Sequence, residues 1–258
     1  MNDPQTVAKE ITNLWNDHFQ GSSDSQAIEN LTKHLGILNH LRQSNLLTVV
    51  FSFQDLSILH INQAAAAFFG GTVDEIKHAG APYIISCFDE EQLKFATMAA
   101  EVNAREMNRY RPEQILNSYA CYANWIIHNK KGKTYRALFR IFPIQLNNNG
   151  LPLLGMYLIH DVMPFLRDTG WWYRSTTDDR HFYHYHSHEK KIQKKDLLSE
   201  REKTILRELA TGLSSKELAE KIHVSSHTID NHRRRMLAKT GSVDTSALIH
   251  VAKLSGIL

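Results

Sequence analysis

The chain has 258 residues, of which 42% are hydrophobic and 22% are charged. At about 150 residues per domain, this length predicts roughly two domains, and the near-average apolar fraction excludes a fibrous or wholly disordered chain. Because the net charge is only +3, any affinity for nucleic acid has to come from local clusters of basic residues.

Hydropathy and cysteine content indicate the compartment. No stretch approaches the ~18 consecutive apolar residues of a membrane span, and the polar start MNDPQTVAKE lacks the apolar core of a secretion signal. The two cysteines, Cys87 and Cys121, are too few for a disulfide framework or a four-thiolate zinc site. We therefore expect a cytoplasmic protein with no membrane partner.

Residues 1–45 predict two helices. The first carries a stripe of apolar side chains at helical spacing, and a second helix is predicted over about residues 26–42. This segment is either a cap on the following domain or a dimerisation segment, and the sequence leaves both open. The stripe consists of Val7, Ile11, Leu14, Trp15 and Phe19.

Residues 46–165 predict an α+β domain with one antiparallel sheet. The domain begins with a β-hairpin. Two short helices and one longer helix follow, and three strands joined by tight turns then form a meander. The helices are expected to gather on one face of the sheet. The predicted strands are 47–53, 57–61, 119–127, 135–145 and 153–161, and the predicted helices are 62–69, 72–78 and 89–109.

This order of elements resembles a PAS domain. Asn62 begins a small helix that ends at Phe69-Gly70, and the acidic pair Asp74-Glu75 follows. The closing strands resemble the same family through Gly132, Pro143, Gly150, Gly155 and Asp161. The resemblance implies a sensory domain that holds a small ligand, a haem or a flavin, or a module that dimerises or binds another protein.

The sequence argues against both haem and flavin as cofactors. A flavin photosensor of this family carries a reactive cysteine in a motif such as N-C-R-F-L, whereas Cys87 lies in Ile-Ser-Cys-Phe. A haem requires an axial histidine, and His78 near a helix end is the candidate. A single histidine in such a place is more often a surface residue, so we expect no cofactor.

Residues 166–196 predict an aromatic, histidine-rich and lysine-rich connector. His184, His186 and His188 alternate, so on a strand they would share one face and could bind zinc or nickel. A metal-dependent hydrolase that uses these histidines is one alternative function. The other interpretation of the segment is a structural strand or covering flap. The lysines are Lys190, Lys191, Lys194 and Lys195.

Residues 197–258 predict four short helices separated by tight turns. Ser199 with Glu202, and Ser214 with Glu217, form two capping boxes. Ser225 is a third N-cap, and a fourth helix begins near Asp244. The middle pair of helices is typical of a helix-turn-helix. Gly212 and Gly241 supply the left-handed ends of the first and third helices.

The third of these helices has one apolar and one polar face. Ile229, His232 and Met236 should point to the core. The opposite face, with Asn231 and Arg234, suits a major groove, since arginine can fork onto guanine and asparagine can pair with adenine. The polar face also carries His227, Ala238 and Asp230, and we expect Asp230 to pair with Arg234.

The run from Leu198 to Gly241 resembles the LuxR-type helix-turn-helix of bacterial transcription regulators. The family motifs appear as Leu198-Ser199-Glu200-Arg201-Glu202, Gly212, Ser214, Lys216-Glu217-Leu218-Ala219, Ser225, Thr228, Ile229 and His232. The resemblance implies that Asp230, Asn231 and Arg234 face bases, and that Lys216, Ser226, Thr228, Arg233 and Arg235 face phosphates. The family often has a basic residue in place of Asp230 and an arginine in place of Thr245.

The sequence as a whole predicts a DNA-binding transcription regulator with a PAS-like sensory or dimerisation domain. We expect double-stranded DNA and a second copy of the chain as partners, with a small-molecule ligand or RNA polymerase as further candidates. No catalytic constellation stands out, so we expect no enzyme activity. Besides the hydrolase, a protein-interaction adaptor without DNA binding remains an alternative.

Overall fold

The computed structural model describes residues 3–18, 46–168, 170–176 and 182–258. The helix predicted over residues 26–42 lies outside the described residues. Within them, no helix is both long enough and apolar enough to cross a lipid bilayer.

Seven strands form one antiparallel sheet in the order β2-β1-β5-β4-β3-β6-β7. The predicted α+β class with an antiparallel sheet is confirmed. The strands are β1 (Leu47–Ser52), β2 (Ile58–Ile61), β3 (Tyr119–His128), β4 (Thr134–Leu146), β5 (Pro152–Asp161), β6 (Trp172–Thr176) and β7 (Phe182–His186).

The last two strands correct the predicted connector at residues 166–196. β6 pairs with β3 from Trp172 to Thr176, and β7 pairs in turn with β6. The sheet therefore does not end near residue 165. The physical reason is the alternation of large side chains: Tyr173 is buried with the helices on one face, whereas Trp172 is buried on the other. The segment is thus the structural strand that the sequence analysis held as an alternative.

Helices cover one face of the sheet, called here the inner face. Asn62 caps the first of them by accepting from the amide of Ala65, and it also donates to the carbonyl of Leu46 at the start of β1. Thr72 and Glu75 form a reciprocal capping box for the next. These helices are α2 (Gln63–Phe69), α3 (Val73–Ala79), α4 (Ala81–Ile85), α5 (Glu90–Met107) and α6 (Pro112–Leu116).

The N-terminal helix α1 (Pro4–His18) packs on the same domain. Val7 and Ala8 are buried in one cluster with Phe53, Leu56 and Leu93. Of the two interpretations of this segment, the packing of α1 therefore matches a cap; a dimerisation role stays a prediction.

Four helices follow the sheet and form the C-terminal domain, residues 196–258. All three predicted serine caps accept an amide hydrogen bond, and both capping boxes are reciprocal, which confirms the predicted helix starts. Gly212 and Gly241 have positive φ angles of 98° and 73°, as predicted for the ends of two helices. The helices are α7 (Glu200–Ala210), α8 (Ser215–Lys221), α9 (Ser226–Thr240) and α10 (Thr245–Leu254).

The C-terminal domain packs on the outer face of the sheet, opposite α2–α5. Cys121, Leu138 and Trp172 of the sheet lie in the same buried cluster as Leu206 and Leu248 of the helices. The two domains therefore share one apolar core, and the contact is dry where these side chains meet. Nothing in the sequence periodicity distinguishes this shared core from two separate ones.

Polar contacts fix the direction of this packing. The indole Nε1 of Trp172 donates to the carbonyl of Thr240 at the end of α9, over 3.0 Å. The guanidinium of Arg167 donates to the carbonyl of Val243 over 2.9 Å. One acceptor is the last residue of α9 and the other lies in the short link to α10, so this corner of the C-terminal domain is held against the edge of the domain interface.

A buried ion cluster joins β6 to α7. The Asp196 carboxylate lies 2.6 Å from Arg174 Nε and 2.6 Å from Lys203 Nζ, and all three side chains are at most 7% exposed. Burial alone would raise the pKa of Asp196, but hydrogen bonds from Arg174 and Lys203 outweigh it and lower that pKa. Because each charge has a partner, the cluster avoids the penalty of several kcal/mol that an unpaired buried ion carries.

The interface between the two domains also contains a histidine whose protonated form is disfavoured in the folded state. His160 on β5 has a pKa below its ordinary value of 6.5, because it is buried and because His250 of α10 and Arg140 of β4 lie near it. The folded state therefore favours the neutral ring. The unfolded state takes up a proton as pH falls through about 6.5, so this part of the stability is complete above that pH and declines below it.

We expect the free energy of unfolding to fall as pH is lowered from 7.5 to 5.5, and His160→Gln to reduce that fall, in denaturant titrations of the full chain. The matched control is His78→Gln, which changes an exposed histidine on α3. Identical pH dependence in wild type and His160→Gln would contradict the assignment. The carboxylates with lowered pKa, such as Asp196, titrate below this window.

Candidate nucleic-acid interface

Helix α9 has a polar face on the side opposite its buried residues. Ile229 and Met236 are fully buried, whereas His227 and Arg234 on the far side are exposed. Of the predicted core residues, His232 differs: it is half-buried, and its Nδ1 has no hydrogen-bond partner among the described residues. The helix is thus oriented as its pattern predicts, with one polar position at the boundary of the core.

The start of α9 is ordered by hydroxyl groups. Ser225 accepts from the Thr228 amide at 3.1 Å, and the two hydroxyls lie 2.8 Å apart. Ser226 is exposed as the first residue of the helix. Since the first amides of a helix have no intrahelical acceptor and carry the positive end of its dipole, this end suits an anion such as a phosphate.

The position of Asp230 corrects its predicted pairing. Its carboxylate accepts from the Ser215 hydroxyl at 2.8 Å and lies 3.4 Å from Arg233 Nη1, not against Arg234. Arg234 instead donates to the side-chain oxygen of Asn231. The reason is the direction of the side chains: Asp230 leans toward α8, whereas Asn231 and Arg234 lie together on the outer side of the helix.

Arg233 connects three helices. Its Nη1 donates to Ser215 at the start of α8 over 2.7 Å, and its Nη2 donates to Thr245 at the start of α10 over 2.7 Å. Its Nε donates to the same threonine hydroxyl over 3.1 Å. Only part of the guanidinium therefore remains for a phosphate, and the side chain is 34% exposed.

The sequence analysis did not name Ser215 as a member of this site, and it named Thr245 only as a departure from the arginine that the family often has there. Each is the first residue of its helix, next to an N-cap. The usable signal was that a hydroxyl at a helix start can serve as an acceptor for a neighbouring arginine. The remaining phosphate-side candidates, Lys216 and Arg235, are exposed, and neither makes an ion pair among the described residues.

The three histidines of the predicted metal group are not brought together as ligands. His184 is buried, and its Nδ1 lies 2.9 Å from the carbonyl of Lys195. His186 and His188 stack on each other with ring centroids 5.1 Å apart. In the part of the chain that the structure describes, no group of three or more histidine, cysteine or carboxylate side chains is arranged to hold a metal ion.

A second candidate site is a cavity of about 140 Å³ between the inner face of the sheet and the helices. Its walls are largely aromatic and aliphatic and include Phe139, Tyr122, Trp125 and Tyr157. The indole nitrogen of Trp125 is buried without a hydrogen-bond partner among the described residues. Burial raises the pKa of Tyr157 to about 12, so its phenol stays neutral. His78 is exposed on α3 and does not line the cavity.

We expect Arg233→Ala to lower the free energy of unfolding by about 1–3 kcal/mol, because it removes the hydrogen bonds that Arg233 donates to the hydroxyls of Ser215 and Thr245. Arg235→Ala, on the exposed side of the same helix, should change it by less than about 0.5 kcal/mol. Chemical denaturation of the full chain measures both. Equal small effects would indicate that Arg233 does not hold the three helices together.

The C-terminal domain matches known proteins. Residues 196–252 match the family model of bacterial regulatory proteins of the luxR family. The fimbriae Z protein of Escherichia coli strain K12 is 45% identical over 58 residues, which are 22% of this chain and 28% of that protein. The transcription regulator BvgA of Bordetella pertussis is 34% identical over 61 residues, 24% of this chain and 29% of that protein. The chain thus spans less than a third of these relatives.

Two solved structures have distant similarity to longer parts of the chain. A dimer of Vibrio cholerae VqmA, described without its target DNA, matches 86% of this chain and 88% of its own with 15% identity and a TM-score of 0.33. The PAS domain of the fruit-fly ELK potassium channel matches 49% of this chain and 94% of its own with 18% identity and a TM-score of 0.35.

The sequence match and the observed order of caps, turns and helices agree on the same region. Residues 196–252 of this chain form a LuxR-type helix-turn-helix domain.

Proposed function

We propose that the protein is a sequence-specific DNA-binding transcription regulator whose output is controlled by its sheet domain. The observation that carries the proposal is the outer side of α9, where the half-buried Asn231 and the exposed Arg234 lie together while Ile229 and Met236 hold the opposite side in the core. A rigid helix with amide and guanidinium groups on its free side fits the width of a major groove.

The polar residues of this surface divide into two groups by position. Asn231 and Arg234 occupy the outer side and, with Asp230 beside them, are the proposed base-side residues, although Asp230 leans toward α8. The residues around the outer side of α9 would contact the DNA phosphates. These residues are Lys216, Ser226, Thr228, Arg233 and Arg235. Asp230 accepts from Ser215, so its charge is partly satisfied inside the protein, and we propose that it positions Arg233 more than it reads a base.

Base contacts and phosphate contacts leave different signatures in binding. We expect Arg234→Ala to weaken binding to a specific site by about 1–3 kcal/mol and to spare non-specific binding, since it removes a base contact. Arg235→Ala should weaken binding to all sequences alike and reduce the salt slope by about one, since it removes a phosphate contact. The measurement is fluorescence anisotropy over a series of salt concentrations.

The probes are a duplex selected from a random library by the full chain and a shuffled duplex of the same base composition. Lys9→Ala, on the exposed side of α1 and remote from α9 in the chain, is the control variant. Equal losses from Arg234→Ala on both duplexes would contradict its base-side role. Failure of the full chain to enrich any duplex would contradict DNA binding itself.

The partners follow from the same proposal. We infer that a homodimer binds a two-part site, because one short recognition helix reads too few bases for a specific regulator. RNA polymerase is the other macromolecule that such a regulator would engage in the cytoplasm. We propose that the protein recognises DNA and catalyses no reaction.

The cavity favours a second function, the binding of a small molecule that adjusts the output. A largely apolar cavity of about 140 Å³ with one orphaned indole N–H would take a small, mostly apolar ligand that carries a hydrogen-bond acceptor. The PAS resemblance agrees with such a role.

Benzene is a suitable probe because apolar cavities of about 150 Å³ bind it. We expect benzene to raise the thermal midpoint of the full chain, since a ligand that binds only the folded state stabilises it. Ala100→Leu, which fills part of the cavity from α5, should abolish the rise. No benzene effect on wild type, or an equal effect on the filled variant, would contradict binding at this place.

A further inference from the structure

Strand β3 has the cavity on one side and the C-terminal domain on the other. Tyr122 lines the cavity, whereas Tyr119 and Cys121 pack in the cluster shared with the C-terminal helices. Tyr119 itself also borders the cavity. The cavity and the C-terminal domain are thus separated at this point by the thickness of a single strand.

The side chain of Tyr119 is the direct link from this strand to the end of the chain. Its hydroxyl donates to the carbonyl of Gly256, over 2.7 Å and across 137 residues of sequence. The same oxygen accepts from Arg174, and Arg140 lies over the ring at 4.8 Å from its centroid. The Tyr119 hydroxyl therefore joins β3 to the end of the chain and to β6 at the same time.

Gly256 shows how close this contact is. Its φ angle is +70°, and a Cβ atom added there would lie 2.7 Å from the Tyr119 hydroxyl oxygen. No side chain other than hydrogen therefore fits between the end of α10 and Tyr119. The approach requires glycine for two reasons, the left-handed backbone and the lack of space.

Arg174 extends the link to the start of the C-terminal domain. It donates to Tyr119 and holds Asp196, which in turn holds Lys203 of α7. One tyrosine hydroxyl is thereby in contact, directly or through one arginine, with both the first and the last segment of the helix-turn-helix domain. At the far side, Trp172 holds the end of α9.

We propose that Tyr119 is a positioning residue through which filling of the cavity strengthens the docking of the DNA-binding domain on the sheet. This inference rests on the proposed function for the cavity. An empty cavity leaves β3 free to fluctuate toward it, and a ligand removes that freedom. A better-ordered β3 holds the hydroxyl in place against Gly256 and Arg174, so the docked arrangement gains population.

The docked arrangement leaves the polar side of α9 uncovered. The coupling therefore does not hide the DNA-binding surface. It fixes the orientation of the DNA-binding surface relative to the sheet. A fixed orientation changes the avidity of a dimer for a two-part DNA site without any new base contact.

The test is hydrogen exchange of the full chain followed by mass spectrometry, with benzene as the cavity probe. In wild type, benzene is expected to slow exchange by at least about fivefold both in α5, which lines the cavity, and in residues 250–258. Tyr119→Phe keeps the ring but loses the hydroxyl, so it should keep the protection of α5 and lose that of residues 250–258. A merely structural role of Tyr119 would not separate the protection of α5 from the protection of residues 250–258.

Two further variants make the outcome specific. Tyr135→Phe removes a phenol on β4 that packs against the inner-face core but does not line the cavity, and both protections should persist. Gly256→Ala displaces Tyr119 from the opposite side and should reproduce the loss. Protection of residues 250–258 in Tyr119→Phe, or protection of α5 alone in wild type, would overturn the proposal.

Absence of any benzene effect in wild type would overturn the proposal together with the ligand-binding role of the cavity. DNA binding is measured separately on the selected and shuffled duplexes and does not enter this experiment. Failure of the coupling and failure of the DNA-binding function are therefore distinguishable.

Discussion

The C-terminal helices and the outer face of the sheet bury their apolar side chains against each other, and the rest of the architecture depends on this contact. Trp172 and Leu138 on one side, and Leu206 and Leu248 on the other, exclude water from the interface. Hydrophobic contact has little direction of its own. The direction comes from a few polar bonds: Trp172 to the end of α9, and Arg174 to Asp196.

The same arrangement leaves one side of α9 free for the proposed contact with DNA. Its inner side is committed to the core by Ile229 and Met236, and its outer side is turned away from the sheet. Arg233 ties it to the starts of α8 and α10 through hydroxyl groups. A helix held at its middle and its end offers a surface that needs little further ordering on binding, which reduces the entropic cost of recognition.

Local rules made much of the C-terminal domain predictable. Serine caps with glutamates three residues on, and glycines at left-handed ends, depend only on nearby sequence, and Ser199, Ser214 and Ser225 all cap as expected. The partner of Asp230 was not predictable in this way, because Ser215 lies on another helix. Strands β6 and β7 were likewise missed as part of the sheet, since pairing with β3 is a long-range choice among several possible edges.

The shared core has a consequence for how freely this protein's parts can be exchanged. Lys203 and Asp196 are almost fully buried, and their third partner, Arg174, belongs to the sheet. A chimera that grafts onto this sheet a helix-turn-helix without an acidic residue in place of Asp196 would leave Arg174 without its counter-charge. The two domains are therefore matched to each other as components of one folding unit, and sequence drift in either is constrained by the other.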